Sequence, residues 1–325
     1  HPDNIAPEVH PLVGKVYRAG GAARMTFPAL LEEMKSSNVV YLGETHDNAR
    51  HHHIELQVIY QLIDQGIRPV LGFEFFSREQ TSHLLRYRNS GNATGPAKRH
   101  GNAAAAEQLL RAQLGWESNR DRDWQRFLPI LQKARELQLP MFGADLPGGL
   151  KGNMVRYGYD GLNGVEKLTA TRTTFDDPAY RDWMFERLRA MHCGWGDTAY
   201  INRLYETWLA RNEAMAEAIV AMVKEHPDQP VVVIMGGGHV EHNLGVYGRV
   251  KHLMPDARQL NLRMLQVRDE LTEPSDYFAH LVRNGRDYGP PHDYLWFTSG
   301  PQHREHDCAD VHMKRPQTKT VTSNK

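Results

Sequence analysis

The stretch Asn38-Val39-Val40-Tyr41-Leu42-Gly43-Glu44-Thr45-His46-Asp47 decides the fold. Val39 to Leu42 is a β-branched and aromatic run without polar alternation, the pattern of a strand covered on both faces. Gly43 allows a turn or a close backbone approach. Glu44 and His46 follow two residues apart, a spacing that in extended backbone sets both on one face. Asp47 or Asn48 can cap a following helix, whose register shows in Ile54, Val58, Ile59 and Leu62 and which Gly66 ends. Strand, polar elbow and helix make half of a βαβ unit, and in open α/β sheets the ligand lies where such strand ends gather.

The pattern recurs along the chain. Pro69 to Phe76 is a second buried strand with one carboxylate, Glu74; Leu139 to Ala144 is a third, ending in Asp145. Gln229 to Met235 is a fourth and runs directly into Gly236-Gly237-Gly238-His239. Leu260 to Val267 and Tyr294 to Phe297 read as further strands. Residues 1 to 25 read as an irregular lead-in with a Gly20-Gly21 turn, and Thr26 as the cap of a helix with Pro28 in its first turn. Helical patterns fill 78–90, 103–137 and much of 147–226, including a long one from Asp197 to about Glu225.

The expected fold class is therefore α/β, a mainly parallel sheet flanked by helices with a helical cap subdomain over the carboxyl ends of the strands. Residues 1–308 read as a single α/β domain with cap insertions at about 78–137 and 147–226, and 309–325 as a flexible tail.

Lysine plus arginine equals aspartate plus glutamate, 39 each, so no overall field favours nucleic acid or an anionic membrane. No apolar run approaches the roughly 18 residues of a spanning helix. The chain begins at His1 without a signal-like segment, as a trimmed form would. Two cysteines, Cys193 and Cys308, make neither a disulfide scaffold nor a zinc cage, and their pairing stays open. The 18 histidines are the compositional oddity. His51, His52 and His53 point around different sides of a helix, so they read as surface or edge residues, with at most one joining a site.

Four strands thus end in polar residues: Glu44 and His46, Glu74, Asp145, and His239. If the strands are parallel, all converge on one edge of the sheet. Two imidazoles with two carboxylates suit a divalent transition metal, or a general base whose tautomer a carboxylate fixes. The bland alternatives are a helix-capping Glu44 and a Glu74 paired with an arginine. The triple glycine lacks the spacing and the lysine of a phosphate loop. There is no Gly-x-Ser-x-Gly elbow, and Cys193 follows no recognisable strand, so a serine or cysteine acyl-enzyme has little support.

Six segments together resemble the ChaN family of haem-binding, iron-regulated envelope lipoproteins, from about residue 12 to 308. They are Leu42-Gly43-Glu44-Thr45-His46-Asp47, Gly72-Phe73-Glu74-Phe75-Phe76, Met191-His192-Cys193-Gly194, Arg211-Asn212-Glu213-Ala214-Met215-Ala216, Gly236-Gly237-Gly238-His239 and Asp293-Tyr294-Leu295-Trp296-Phe297-Thr298. The resemblance implies haem as ligand, a role in haem or iron uptake or storage, and a homodimer around haem. It also implies a place in the periplasm or outer membrane, with a lipid anchor on a cysteine upstream of His1. A tyrosine is the family's iron ligand; Tyr157, Tyr159, Tyr180, Tyr200 and Tyr205 are candidates, and His192, Tyr200 and Tyr205 are candidates for haem contact, His192 reading first as a structural residue at a helix end.

The wider superfamily includes erythromycin esterases and Tiki metal-dependent proteases. There, residues matching Glu44, His46, Glu74 and His239 form the active site, while Asp145 stands where many ChaN relatives have Asn. Haem binding is the first expectation. The alternative is a metal-dependent hydrolase, esterase or peptidase-like, with a divalent ion on Glu44, His46, Glu74 and His239 activating water.

Overall fold

The structure is a computed structural model that describes residues 10–90, 96–117, 121–170 and 177–299, with the backbone alone for 96–102 and 121–123. In chain order its elements are β1 (Val16–Arg18), β2 (Ala23–Met25), α1 (Phe27–Lys35), β3 (Val39–Glu44), α2 (Ala49–Asp64), β4 (Val70–Ser77), α3 (Thr81–Asn89), α4 (Pro96–Gln113), α5 (Asp121–Glu136) and β5 (Met141–Asp145). There follow α6 (Gly148–Tyr157), α7 (Gly164–Thr169), α8 (Pro178–Met191), α9 (Thr198–Glu225), β6 (Val231–Gly236), α10 (Val246–Leu253), β7 (Gln259–Gln266), β8 (Val282–Arg283), β9 (Arg286–Asp287) and β10 (Tyr294–Thr298).

The main sheet has the order β2-β1-β10-β7-β3-β6-β4-β5. The run from β10 to β5 is parallel throughout, and β1 and β2 add an antiparallel edge beyond β10. That edge corrects the expected irregular lead-in: three-residue strands are too short to show alternation, and they form because β10 and the Gly20-Gly21 turn hold them. The small β8–β9 hairpin was also missed, although Asn284-Gly285 at its turn is a hairpin signal.

Alternate residues of β3 serve two cores, as a strand covered on both faces requires. Val40 and Leu42 pack with α1, α2 and α5 on one side; Val39 and Tyr41 pack with α10 and the carboxyl half of α9 on the other. Asn48 caps α2 by accepting from the Arg50 amide, and Thr26 caps α1. The first expected cap insertion lies on the sheet instead. Leu84, Leu110, Phe127 and Leu131 share a core with Leu71, Phe73 and Ile234.

Helices α6, α7, α8 and the amino half of α9 cover the carboxyl ends of the strands. At about 1.5 Å per residue α9 is some 40 Å long. Its carboxyl half lies on the sheet through Met215, Ile219 and Val223, and its amino half reaches past it to pack Ile201 and Tyr205 against α8. Neighbouring strands β3 and β6 send their helices, α2 and α10, to opposite faces and their next strands in opposite directions, which opens a crevice at their carboxyl ends. No described helix is long and apolar enough to cross a membrane. Cys308 and the expected tail lie outside the described residues, so the Cys193–Cys308 pairing does too.

Candidate functional site

The strand ends deliver the expected side chains to that crevice. Glu44, at the end of β3, is 1% exposed and accepts a hydrogen bond from His46 Nδ1. The His46 side chain is 58% exposed toward the cleft, its ring edge against Phe75. Glu74 Oε1 accepts from Arg211 Nη2 at 2.6 Å and lies 3.1 Å from His239 Nε2, while Oε2 accepts from the Gly236 amide at 2.6 Å. His239 Nδ1 is 2.6 Å from Asn212 Oδ1, and Trp208 stacks on its ring at 4.0 Å. Trp208, Arg211 and Asn212 stand at i, i+3 and i+4 on α9, so one helix face carries all three across the strand ends.

Glu74 is thus paired with an arginine, and the same guanidinium holds Asp145: Arg211 Nε lies 3.2 and 3.1 Å from its two oxygens. Lys151 adds a second cation to Asp145 at 2.5 Å. Asp145 is therefore the counter-ion that fixes Arg211. Burial alone would raise the Glu74 carboxyl, but His239, Arg211 and His46 outweigh it and hold Glu74 well below the usual range. Burial works against the Arg211 charge too, yet Asp145 and Glu74 raise its pKa further. Burial pulls His239 down.

With both Glu74 oxygens occupied, Glu44, His46, Glu74 and His239 do not present the expected metal cage. Among the described residues, the group whose ligand atoms lie within 4.8 Å of one another is a different one, Glu44, His52 and Glu55.

His46 carries a pH dependence. Burial lowers its pKa, but the hydrogen bond to Glu44 and the charges of Glu74 and Glu44 lift it to about 9. A folded-state value above the ordinary 6.5 means that protonation favours the fold. The contribution is complete below 6.5 and is lost as pH rises through about 9. Because the ring is largely exposed, it amounts to under ~1 kcal/mol. In His46→Ala the fall in urea midpoint across that window becomes shallower; parallel falls in both proteins would remove His46 from the account.

The histidine run at 51–53 corrects the surface reading. His51 is fully buried, where its Nδ1 accepts from the Thr45 amide at 3.0 Å and its Nε2 lies 3.1 Å from Thr298 Oγ1, so it pins the loop after β3. His52 is buried beneath Glu44, between that carboxylate and Glu55. Only His53 is exposed. Arg263 on β7 was also missed. It donates to the Glu44 carbonyl oxygen and, at 2.9 Å, to Thr45 Oγ1. A Cβ on Gly237 would sit 2.3 Å from its guanidinium, so glycine there makes room for the arginine. Nothing in the local pattern of β7 marks Arg263, because its role depends on a strand 219 residues away.

Above this floor is a cleft of about 1030 Å³. The cap supplies apolar side chains from α6, α8 and α9, including Val155, Met184, Leu188, Leu204 and Trp208. Six cationic side chains, Lys151, Arg156, Arg187, Arg203, Arg211 and Arg263, face it against one carboxylate, Glu44. Arg211 and Lys151 are paired with Glu74 and Asp145 and Arg187 with Glu241, so the side of the cleft at Arg156 and Arg203 is where the lining suits negative charge on an apolar body. Tyr200 lines the cleft, with Arg203 5.7 Å over its ring. The other two haem-contact candidates are not among the residues that line it. Tyr205 is 1% exposed and packs on Phe185 in the α8–α9 seam. His192 caps α8, its Nδ1 donating to the Leu188 carbonyl at 2.7 Å, and meets the cleft only through its edge contact with Tyr200.

The fold and cleft define a capped α/β protein with a binding site at the carboxyl ends of its strands. The profile of the family described as haem-binding uptake, Tiki superfamily, ChaN matches residues 30–250, and the chain belongs to this family. Among solved structures, that of cofacial haem binding to ChaN of Campylobacter jejuni has the same fold, with a TM-score of 0.62 at 14% identity over 86% of this chain and 95% of that one. An erythromycin esterase mutant, EreC in its open conformation, gives a TM-score of 0.42 at 13% identity over 74% and 72% of the two chains. None of the curated proteins matches the chain.

Proposed function

We propose that this protein binds haem in the cleft between the strand ends and the cap, as a carrier or store in haem or iron uptake at the bacterial envelope. The observation that carries the reading is the lining: an apolar wall faced by six cations and one carboxylate. A porphyrin is a flat apolar body with two carboxylates, so Met184, Leu188, Leu204 and Trp208 suit its faces and Arg156 and Arg203 its acidic edge. Tyr200, the tyrosine of the cleft lining, supports a phenolate as iron ligand, a ligand type that haem proteins use. Family membership supports the same ligand.

Met191 at 60% exposure and Trp195 at 48% give the cap an apolar rim, which fits a homodimer closing around haem. The C. jejuni protein binds haem cofacially, and an open-sided cleft suits that arrangement here. Location in the periplasm or at the outer membrane through a lipid anchor belongs to the same proposal.

Metal-dependent hydrolysis, esterase or peptidase-like, is the second reading, and one observation favours it: two imidazole–carboxylate pairs, Glu44–His46 and Glu74–His239, form the floor. The engagement of Glu74 by Arg211 and the Gly236 amide weakens it.

A haemin titration followed at the Soret band tests the first reading. The unmodified chain is expected to saturate, and Tyr200→Phe to bind about tenfold more weakly or worse, a loss of ~1.4 kcal/mol or more. Equal saturation in both would remove Tyr200 as ligand; no saturable shift in either would remove haem.

A further inference from the structure

We propose that Glu44, His52 and Glu55 form a buried site for a divalent first-row transition ion beneath the floor of the cleft, distinct from the haem site and from the Glu74–His239 pair. The three are 1%, 4% and 0% exposed, and a ligand atom from each lies within 4.8 Å of the others. Two carboxylates and one imidazole are a donor set for ions such as zinc or manganese. His52 and Glu55 stand at i and i+3 on α2, which places both on the helix face turned to the end of β3.

Two further observations point to a ligand. The first is that Glu44 Oε2 and Glu55 Oε1 are fully enclosed, and neither has a hydrogen-bond partner. A buried acceptor left without a donor costs about 1–3 kcal/mol, and two of the three residues of the group carry one. Their sister oxygens are spoken for: Glu44 Oε1 by His46, Glu55 Oε2 by His52.

The second is the orientation of His52. Its Nε2 lies 3.0 Å from the His46 carbonyl oxygen, which only accepts, so Nε2 carries the hydrogen. A histidine that ligates a metal commonly gives its other ring N–H to a backbone carbonyl in this way. Nδ1 is then left facing Glu55 Oε2 at 3.0 Å, a contact that needs a proton or an ion between the two. Glu44 Oε2 completes the group on the other side of the ring, 3.9 Å from His52 Nε2. On binding, the ion takes the lone pairs of Nδ1 and of the carboxylate oxygens, and the proton shared by His52 and Glu55 leaves to solvent. The Phe127 ring packs crosswise on His52, with ring centroids 4.8 Å apart.

The test uses the full chain loaded with Zn²⁺, desalted, and assayed by elemental analysis. About one ion per chain is expected. Glu55→Gln, which keeps shape and removes the charge, should retain at least tenfold less, while His239→Gln retains as much as the parent. Anomalous diffraction from the zinc-loaded parent gives a readout independent of how any variant folds, and the peak is expected among Glu44, His52 and Glu55. No retained ion, equal retention in Glu55→Gln, or a peak at His46 or His239 instead would overturn the proposal. None of these outcomes depends on whether haem binds.

Discussion

Replacing Arg211 by methionine should cost ~3–5 kcal/mol at pH 7, the largest loss expected from any single change at the site. The guanidinium is the shared counter-ion of Glu74, 5% exposed, and Asp145, 1% exposed. Methionine fills much of the same volume, so the loss isolates charge. It leaves Glu74 with the Gly236 amide and with His239, an imidazole whose own pKa burial pulls down, and leaves Asp145 with Lys151. The sign of the pH dependence follows. In the parent, Glu74 is held well below its ordinary 4.5, so its stabilising share is present above that value and is lost as pH falls below it. In the variant Glu74, without the guanidinium, takes up a proton more readily, and the gap between the two proteins narrows as pH falls from 7 toward 4.5. Urea denaturation at several pH values measures both effects. A loss below ~1 kcal/mol, the scale of a surface ion pair, would show that the network is solvated rather than buried.

Gly143→Ala should cost about 3 kcal/mol, the top of the usual range for overpacking. A Cβ at Gly143 would sit 2.2 Å from the Ser77 carbonyl oxygen and 2.7 Å from that of Phe76, and both obstacles are backbone. No rotamer change relieves them; β5 must part from β4 at the irregularity between Phe73 and Ser77. Glu74 lies inside that segment, so the same movement drags it from Arg211 and from the Gly236 amide. Gly148→Ala is the control: a Cβ there meets nothing within 4 Å, and its effect should stay within about 0.5 kcal/mol. Thermal or urea melts of the two variants check the contrast, and equal stability would mean that β4 and β5 can separate without strain.

The central strands were legible because a parallel sheet buries both faces. Val39–Leu42 and Val231–Met235 are apolar without interruption, and the polar residues that follow mark the functional edge. The convergence of Glu44, His46, Glu74, Asp145 and His239 followed from topology alone. Their partners did not. Arg211 sits 137 residues from Glu74, and Arg263 219 residues from Glu44, so only the folded sheet brings them together. That is why the sequence could show the four residues together but not the arginine and the backbone amide that engage Glu74.

The three-residue strands β1 and β2 were illegible because they are held by pairing with β10 and not by their own pattern. Helices α3 to α5 were misplaced into the cap for a related reason. Amphipathic periodicity says that a helix buries one face, not what it buries that face against. His52 and Glu55 could have been found. An acid three residues after a histidine on the inward face of a helix is an i, i+3 pair, and Ile54, Val58, Ile59 and Leu62 already gave the face.

The most direct test of haem binding in the cleft is a crystal structure of the chain with haemin. The expected result is a porphyrin between the strand ends and the cap, its plane against Leu188, Leu204 and Trp208, its carboxylates toward Arg156 or Arg203, and Tyr200 on the iron side. Haemin bound elsewhere on the surface, with the cleft empty, would contradict the assignment and leave the acid–imidazole floor to be explained by the hydrolytic reading.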